Sequence, residues 1–143
     1  MSSKKIKLII ISLSRIGDLI LTLPIMQNIK KELPNSEISI LTYYDCQKVL
    51  SGFNYYDQII CINRKRNIIE QILLLFKLYK KFDYSFSFQT GDKPTLYSIL
   101  SGKLSHGLLS VNTNAWKRKL LTKFLYYDNN KHIVNNSWSL VSN

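Results

Sequence analysis

Cysteine is scarce in this sequence, and the two cysteines form no pattern that binds metal or builds a disulfide framework. Cys46 and Cys61 are far apart, with no C-x-x-C and no cluster of Cys and His around them. The two histidines, His106 and His132, have no Cys, Ser or acid at the spacing of a catalytic triad or a metal site. We therefore expect two reduced thiols in the core of a cytoplasmic protein, two structural histidines, and neither a metal nor a cofactor.

Glycine is also scarce, with five residues in 143, and none belongs to a nucleotide-binding motif. The chain has no G-x-G-x-x-G and no Walker-type G-K-[ST] sequence, so dinucleotide and P-loop sites lack their main support. Ser12 and Ser14 lie outside any G-x-S-x-G elbow. Long apolar runs are missing as well. The sequence has no stretch of about 18 apolar residues, the length needed to span a bilayer, and its first apolar run is too short for a secretory signal.

Acidic residues are few, since 9 Asp and Glu stand against 20 Lys and Arg and leave a formal charge of +11. Such an excess predicts an anionic partner, which could be a nucleic acid, an anionic membrane surface, or an acidic or phosphorylated substrate. No nucleic-acid-binding motif is present, so we expect no nucleic-acid partner. At 143 residues the chain is long enough for one domain with a substantial core.

A strand candidate joined to a helix candidate by a short loop is the strongest pattern that the sequence does contain. Residues 6–11 are apolar and rich in β-branched side chains, as is typical of a strand covered on both faces. A loop with Gly17 follows, and a helix is predicted to begin at Asp18. In open α/β sheets, ligands bind just beyond the carboxyl ends of the strands. Asp18 therefore lies where chemistry is expected, either as an acid that stabilises the helix N-terminus or as a general base.

Strand and helix patterns alternate through the rest of the chain. The segment after Val111 has no clear periodicity, and residues 120–127 form either a short helix or a strand. The helix predicted at residues 68–81 either packs its apolar side on the sheet or lies on an anionic bilayer. The alternation predicts an α/β fold, a Rossmann-like parallel sheet with helices on both faces. The further strands are predicted at 38–42, 56–62, 84–88 and 104–109, and the further helices at 45–50, with Asp45 as its cap, and 94–100.

Charged and polar side chains in three loops are further candidates for binding. Arg15 and the run Arg64, Lys65 and Arg66 can hold an anionic group, or can form a solvated charged surface. Gly17 either lets a substrate approach the backbone closely or serves only the turn. The loop after the fourth strand carries the remaining candidates, which serve equally well for solubility and helix capping. They are Gln89, Thr90, Asp92 and Lys93.

Residues 13–24, with the sequence LSRIGDLILTLP, resemble the opening of the family 9 glycosyltransferases, the lipopolysaccharide heptosyltransferases. Those enzymes begin with a strand and then an L-S-x-x-G-D segment that ends in T-L-P. Residues 33–38, 82–92 and 100–102 resemble further family segments in register, and His132 falls where the family has a histidine before its interdomain linker. The resemblance covers essentially the whole chain but only the amino-terminal half of such an enzyme.

The resemblance implies a two-domain enzyme of the GT-B type that transfers a heptose from ADP-heptose to an inner-core sugar of lipopolysaccharide, with inversion at the anomeric carbon. In that scheme Asp18 is the base that activates the acceptor hydroxyl, and the basic loop at residues 64–66 contacts the anionic, phosphorylated acceptor. The substrate-binding residues assigned by the resemblance together with the loop positions are Ser14, Arg15, Gly17, Arg64, Lys65, Arg66, Gln89, Gly91 and Lys93.

The same resemblance divides the chain into an acceptor-side domain at residues 1–131 and the start of an interdomain linker at residues 132–143. The carboxy-terminal domain that would hold the nucleotide sugar is then missing. We expect the acceptor half of a hexosyl- or heptosyltransferase, truncated and inactive alone, in the cytoplasm and in peripheral contact with the cytoplasmic face of the inner membrane. The alternative is a non-catalytic binding module or remnant that pairs with another protein.

Overall fold

A computed structural model describes residues 4–65 and 67–142, which form one parallel sheet covered by helices. All pairings in the six-stranded sheet are parallel, in the order β3-β2-β1-β4-β5-β6. The strands are β1 (Lys7–Ile11), β2 (Glu37–Tyr43), β3 (Gln58–Ile62), β4 (Phe82–Ser87), β5 (Gly102–Leu109) and β6 (Lys123–Tyr126). The helices are α1 (Ile16–Glu32), α2 (Gln47–Leu50), α3 (Ile68–Leu78), α4 (Asp92–Ser101), α5 (Ala115–Leu120) and α6 (Ile133–Ser142).

Strand β1 lies at the centre of the sheet and pairs with β2 on one side and with β4 on the other. The chain therefore runs outward from β1 to β3, crosses back, and runs outward again from β4 to β6. Such a reversal of direction opens a crevice at the carboxyl ends of the two central strands. Ile11, the last residue of β1, is in register with Leu41 of β2 and Ser87 of β4, so the loops after these strands meet at that crevice.

Alternate residues of β1 bury themselves in opposite layers of the core. Leu8 and Ile10 contact a cluster that includes α1 and Leu140 of α6. Ile9 and Ile11 contact the other cluster, which includes residues of α3 and α4. The Rossmann-like parallel sheet with helices on both faces, predicted from the alternation of patterns, is confirmed.

Several boundaries differ from the predicted ones. Helix α1 begins at Ile16, before Asp18, because Arg15 holds the extended backbone of an N-cap, and Gly17 lies in the helix rather than in a loop. Asp45 caps no helix; it lies in a short 3-10 turn (Tyr44–Cys46) that precedes α2, and it binds Arg64. Helix α3 ends at Leu78, not at residue 81, and Lys80 follows with a φ of 49°.

The segment after Val111, which the sequence left unplaced, forms α5 and a sixth strand, β6. The last ten described residues, within the predicted start of a linker, form α6, which contacts α1 and buries Leu140. Both cysteines are free thiols, with Cys46 buried and Cys61 half-buried. Across the described ranges, no helix is long and apolar enough to cross a membrane.

Candidate active site

A pocket of about 550 Å³ opens at the crevice beyond β1 and β4. Its walls come from the end of β1, the first turns of α1, the loops after β4 and β5, and the segment between β6 and α6. Polar side chains from several of these elements face one space, as expected of a site for a small polar ligand. They include Ser14, Asp18, Gln89, Thr90, Asn112, Tyr127 and Asn129.

Asp18 enters the pocket from the first turn of α1. A carboxylate at this place interacts favourably with the unpaired N–H groups and the dipole of the helix N-terminus. The side chain of the N-cap residue, Arg15, makes no capping hydrogen bond. Asp18 is the acidic residue in the first turn of α1. Among the described side chains none forms an ion pair with Asp18, and its carboxylate remains half-exposed to the pocket. A carboxylate in this setting can accept a proton from a hydroxyl group that lies within hydrogen-bond reach.

Gln89 joins the two central strands at the edge of the pocket. Its Oε1 accepts a hydrogen bond of 2.9 Å from the backbone N–H of Leu13, just after β1. The hydroxyl of Ser87, at the end of β4, donates to the carbonyl of Gln89 at 3.2 Å. This bond orients the side-chain amide, whose NH2 group is the donor that Gln89 can offer to a ligand.

A cationic cluster lies beside the pocket, on the ring of Tyr43 at the end of β2. The guanidinium of Arg64 lies 4.3 Å from the ring centroid, and the ammonium of Lys93 lies 5.6 Å from it. Arg64 Nε also donates to Asp45 Oδ2 at 2.8 Å, and its Nη2 donates to the carbonyl of Ser14 at 3.4 Å. The hydrogen bond from Arg64 lowers the pKa of Asp45, and the same bond raises the pKa of Arg64. Both groups are therefore charged at neutral pH, and the loop after β3 is held next to the end of β1.

The structure separates the predicted site residues into three groups. Ser14, Asp18 and Gln89 line the pocket. Arg64 and Lys93 meet at Tyr43, an aromatic residue that the sequence analysis did not single out. Arg15, Gly17, Lys65 and Gly91 are exposed and do not line the pocket. The predicted residue Arg66 lies outside the described residues.

Lys117 positions the loop after β4, although a run with Arg118 and Lys119 would suggest an exposed basic patch. It is only 5% exposed, and its ammonium donates to the carbonyl of Thr90 at 2.9 Å and approaches Asp92 Oδ1 at 2.6 Å. The burial of this lysine is compensated by these oxygens. Lys117 thus fixes the loop that carries two of the predicted binding residues, and no local signal in the sequence marks it.

Metal binding finds no support in the geometry. In residues 4–65 and 67–142, no group of three or more His, Cys, Asp or Glu side chains is placed to hold an ion. Burial raises the pKa of both thiols, which disfavours the thiolate form that binds metal. His106 lies on β5, and His132 lies just before α6.

The strand order, the crevice at the switch point and the polar pocket define a Rossmann-like α/β domain with a ligand site at the carboxyl edge of its sheet. No protein-family model matches the sequence, and no curated protein sequence matches it. Solved structures of similar fold include several glycosyltransferases.

The structure of a family 9 glycosyl transferase from Veillonella parvula is similar with a TM-score of 0.80 and 17% identity, over 99% of this chain and 42% of that one. E. coli heptosyltransferase WaaC, solved with ADP, gives a TM-score of 0.77 and 16% identity over 96% and 47% of the two chains. E. coli ADP-heptose lipopolysaccharide heptosyltransferase II gives 0.78 and 18% over 94% and 40%. The chain thus has the fold of the amino-terminal half of these enzymes and spans less than half of their length.

Proposed function

We propose that this chain is the acceptor-side half of a family 9 glycosyltransferase, which transfers a heptose from ADP-heptose to an inner-core sugar of lipopolysaccharide. The observation that carries the proposal is the position of Asp18. It lines the pocket at the crevice of the two central strands, within a fold shared with a family 9 glycosyl transferase and two heptosyltransferases over 94–99% of the chain. The motif around Asp18, residues 13–24, is also the part of the sequence that most resembles that family.

In the proposed reaction, Asp18 acts as the general base. An acceptor sugar enters the pocket with one hydroxyl within hydrogen-bond reach of the Asp18 carboxylate, and the carboxylate takes its proton. The acceptor oxygen then attacks the anomeric carbon of the donor heptose, and the bond from that carbon to the diphosphate oxygen breaks, with inversion. Gln89 and Ser14, which also line the pocket, orient the acceptor through hydrogen bonds.

The cationic cluster on Tyr43 supplies the affinity for an anionic acceptor. Arg64 binds Asp45 through Nε, so its two Nη groups are the ones that can contact a phosphate or carboxylate, and Lys93 adds a second positive charge on the same ring. In the sequence, Lys65 and Arg66 directly follow Arg64 and add two further positive charges to that run. A phosphorylated core sugar fits this charge better than a neutral one, and no nucleic acid is part of the proposal.

The donor requires a second domain in this scheme. Residues 1–131 form the acceptor side together with α6, whose Ile133 and Ser137 line the pocket, and a separate domain holds the diphosphate of ADP-heptose. The described residues then bind acceptor, and sugar transfer requires the donor domain. Because the acceptor is anchored in lipid, we place the reaction at the cytoplasmic face of the inner membrane, where the chain is a peripheral protein.

The proposal is tested by a transfer assay with ADP-heptose and deep-core lipopolysaccharide, run on the chain alone and with bacterial lysate added. Acceptor binding to the chain alone is measured in parallel by calorimetry, with the phosphorylated core oligosaccharide as the titrant. We expect product only when lysate supplies a donor domain, and we expect Asp18→Asn to abolish it while acceptor affinity changes less than about threefold. Arg64→Gln should weaken acceptor binding by about tenfold.

The matched control for Arg64→Gln is Arg118→Gln, which removes an exposed cation on α5, away from the pocket. Product from the chain alone that disappears with Asp18→Asn would show that no second domain is needed. Acceptor binding without product under any condition would favour a non-catalytic binding module. If neither acceptor nor donor binds, the proposed function is wrong.

A further inference from the structure

Helix α3 carries a broad apolar surface on its outer side, away from the sheet. Phe76 is 76% exposed, Ile68 is 74% exposed, and Ile69 and Leu73 are 71% and 63% exposed. Ile72 and Tyr79 are exposed as well. Side chains four residues apart lie on the same face of a helix, so Ile68, Ile72 and Phe76 form one row and Ile69 and Leu73 form the next. Together they form a continuous apolar patch, which we call the α3 patch.

The α3 patch is not the frayed end of an element. Asn67 caps the helix, since its Oδ1 accepts a hydrogen bond of 2.8 Å from the backbone N–H of Glu70. On the inner side, Leu74 and Leu78 are buried against β1 and its neighbours. A helix that is apolar on both its inner and its outer side is expected to have a partner on each side. The sheet covers one side of α3, and the described part of this domain leaves the other open.

The residues around the α3 patch are strongly cationic. Between residues 63 and 81 the sequence has six basic residues and one acidic residue, Glu70. Lys65 lies exposed before the N-terminus of α3, and Lys77 and Lys81 lie exposed at its C-terminal end. Exposed aliphatic and aromatic side chains flanked by lysines are typical of a helix that lies in the interface of an anionic bilayer.

From this combination we infer that the α3 patch docks the protein on an anionic lipid bilayer, with the apolar side chains among the acyl chains and the flanking lysines at the lipid phosphates. A second copy of the chain is a poorer occupant. A dimer formed through the α3 patch would bring the flanking lysines of the two copies close together, and each copy has a formal charge of +11. The inference rests on the peripheral placement in the proposed function and adds to it the docking surface and the charge of the lipid. Vesicle binding requires neither donor nor acceptor sugar, so the inference and the proposed sugar transfer can fail separately.

Sedimentation with lipid vesicles tests the inference. The vesicles consist of equal parts of phosphatidylglycerol and phosphatidylcholine, and pure phosphatidylcholine vesicles serve as the uncharged comparison. We expect the chain to sediment with the charged vesicles. The triple variant Ile69→Ser/Leu73→Ser/Phe76→Ser should bind at least about tenfold more weakly, because each replaced side chain would lose apolar burial in the bilayer. Leu120→Ser, which removes an exposed leucine on α5, is the matched control and should bind as the parent does.

A second variant tests the contribution of the flanking lysines to lipid binding. Lys77→Gln/Lys81→Gln should weaken binding to the charged vesicles by about fivefold per lysine, and Lys48→Gln/Lys119→Gln is the control pair on α2 and α5. Thermal unfolding checks that the variants fold, and we expect all of them to do so because every replaced side chain is exposed. The inference is overturned if the triple variant binds vesicles as the parent does. It is also overturned if the parent binds no vesicles and instead forms a dimer that the triple variant abolishes.

Discussion

Helices α1 and α3 each follow a strand of the same sheet and pack on opposite faces of it. The two helices differ in the number of residues that they bury. Helix α1 spans 17 residues and α3 spans 11. The buried residues of α3 are Leu74 and Leu78. Those of α1 are Leu19, Thr22, Leu23, Ile25, Met26 and Ile29.

The difference in burial suits the two helices to different roles. Because α1 is locked to the core along its length, its first turn holds Asp18 in a fixed position at the crevice. The general base proposed at Asp18 would gain from such rigidity, since small displacements of a catalytic group lower the reaction rate. Helix α3 is attached by its inner leucines and keeps its outer side for a surface.

The largest effect is expected in the middle of α1. Met26 is fully buried, so Met26→Ala leaves a cavity between α1 and β1 and should lower the free energy of unfolding by about 2–5 kcal/mol. Phe76→Ser, on the outer side of α3, should change it by no more than about 0.5 kcal/mol. Urea denaturation monitored by circular dichroism measures both. A large loss of stability in Phe76→Ser would show that the outer side of α3 is packed, and would contradict the contrast.

The next effect concerns the inner side of α3. Leu78→Ala should cost about 2–3 kcal/mol, near the lower end for buried leucines, because a helix held by few contacts can settle into the space. The loss should be local, so amide hydrogen exchange should accelerate in α3 well before it does in α1. The experiment is native-state hydrogen exchange on the parent and on Leu78→Ala. Equal acceleration in both helices would mean that α3 is as firmly part of the core as α1.

Most of the fold was predictable because the relevant signals are local. A short β-branched run such as residues 6–11 and the helical spacing after Asp18 define their elements without any tertiary context. The tail was not predictable for the opposite reason. Helix α5 and strand β6 are short, and β6 exists because it pairs with Leu108 and Leu109 of β5. Helix α3 was predicted, but how much of it faces water depends on what packs beside it.

The site was predictable at Asp18, because a strand followed by a helix fixes which end of the sheet a residue occupies. The meeting of Arg64, Lys93 and Tyr43 was not, because it depends on the order of β2, β1 and β4 in the sheet. Lys117 was missed for a similar reason. Its burial depends on the carbonyl of Thr90, a partner distant in the sequence.

A smaller effect is expected at Gly17, in the first turn of α1. A Cβ built on Gly17 meets no atom within 4 Å, so nothing in the folded chain requires glycine there. Gly17→Ala should therefore stabilise the protein by about 0.5–1 kcal/mol, because glycine is a poor helix former. If a substrate approaches the backbone at this point, the same change weakens acceptor binding in calorimetry.

The control for Gly17→Ala is Gly52→Ala, in the turn after α2, where a Cβ also meets nothing within 4 Å. That change should leave acceptor affinity unaltered. Gly17→Ala with unchanged affinity and increased stability would assign Gly17 no role in binding.

The smallest effect is expected from a pH-dependent group on the α1 face of the sheet. His106 stacks on Phe86 with a centroid distance of 5.0 Å, and burial lowers its pKa below the ordinary 6.5, with the charge of Lys123 acting in the same direction. The unfolded chain therefore takes up a proton near pH 6.5 that the folded chain takes up only at lower pH. The stability that His106 contributes is full above that value and is lost as the pH falls through the pKa of the folded state.

His106→Phe removes the titrating group and keeps an aromatic ring beside Phe86, so it should reduce the pH dependence of thermal unfolding between about pH 8 and about pH 5.5 by a few degrees. The carboxyl groups with lowered pKa, such as Asp57 and Asp83, titrate below this window and add nothing to it. Nuclear magnetic resonance titration of the His106 ring in the parent measures the same quantity directly. An unchanged pH dependence in His106→Phe would mean that the ring is hydrated in solution, and that the α1 face is less tightly closed at β5 than at β1.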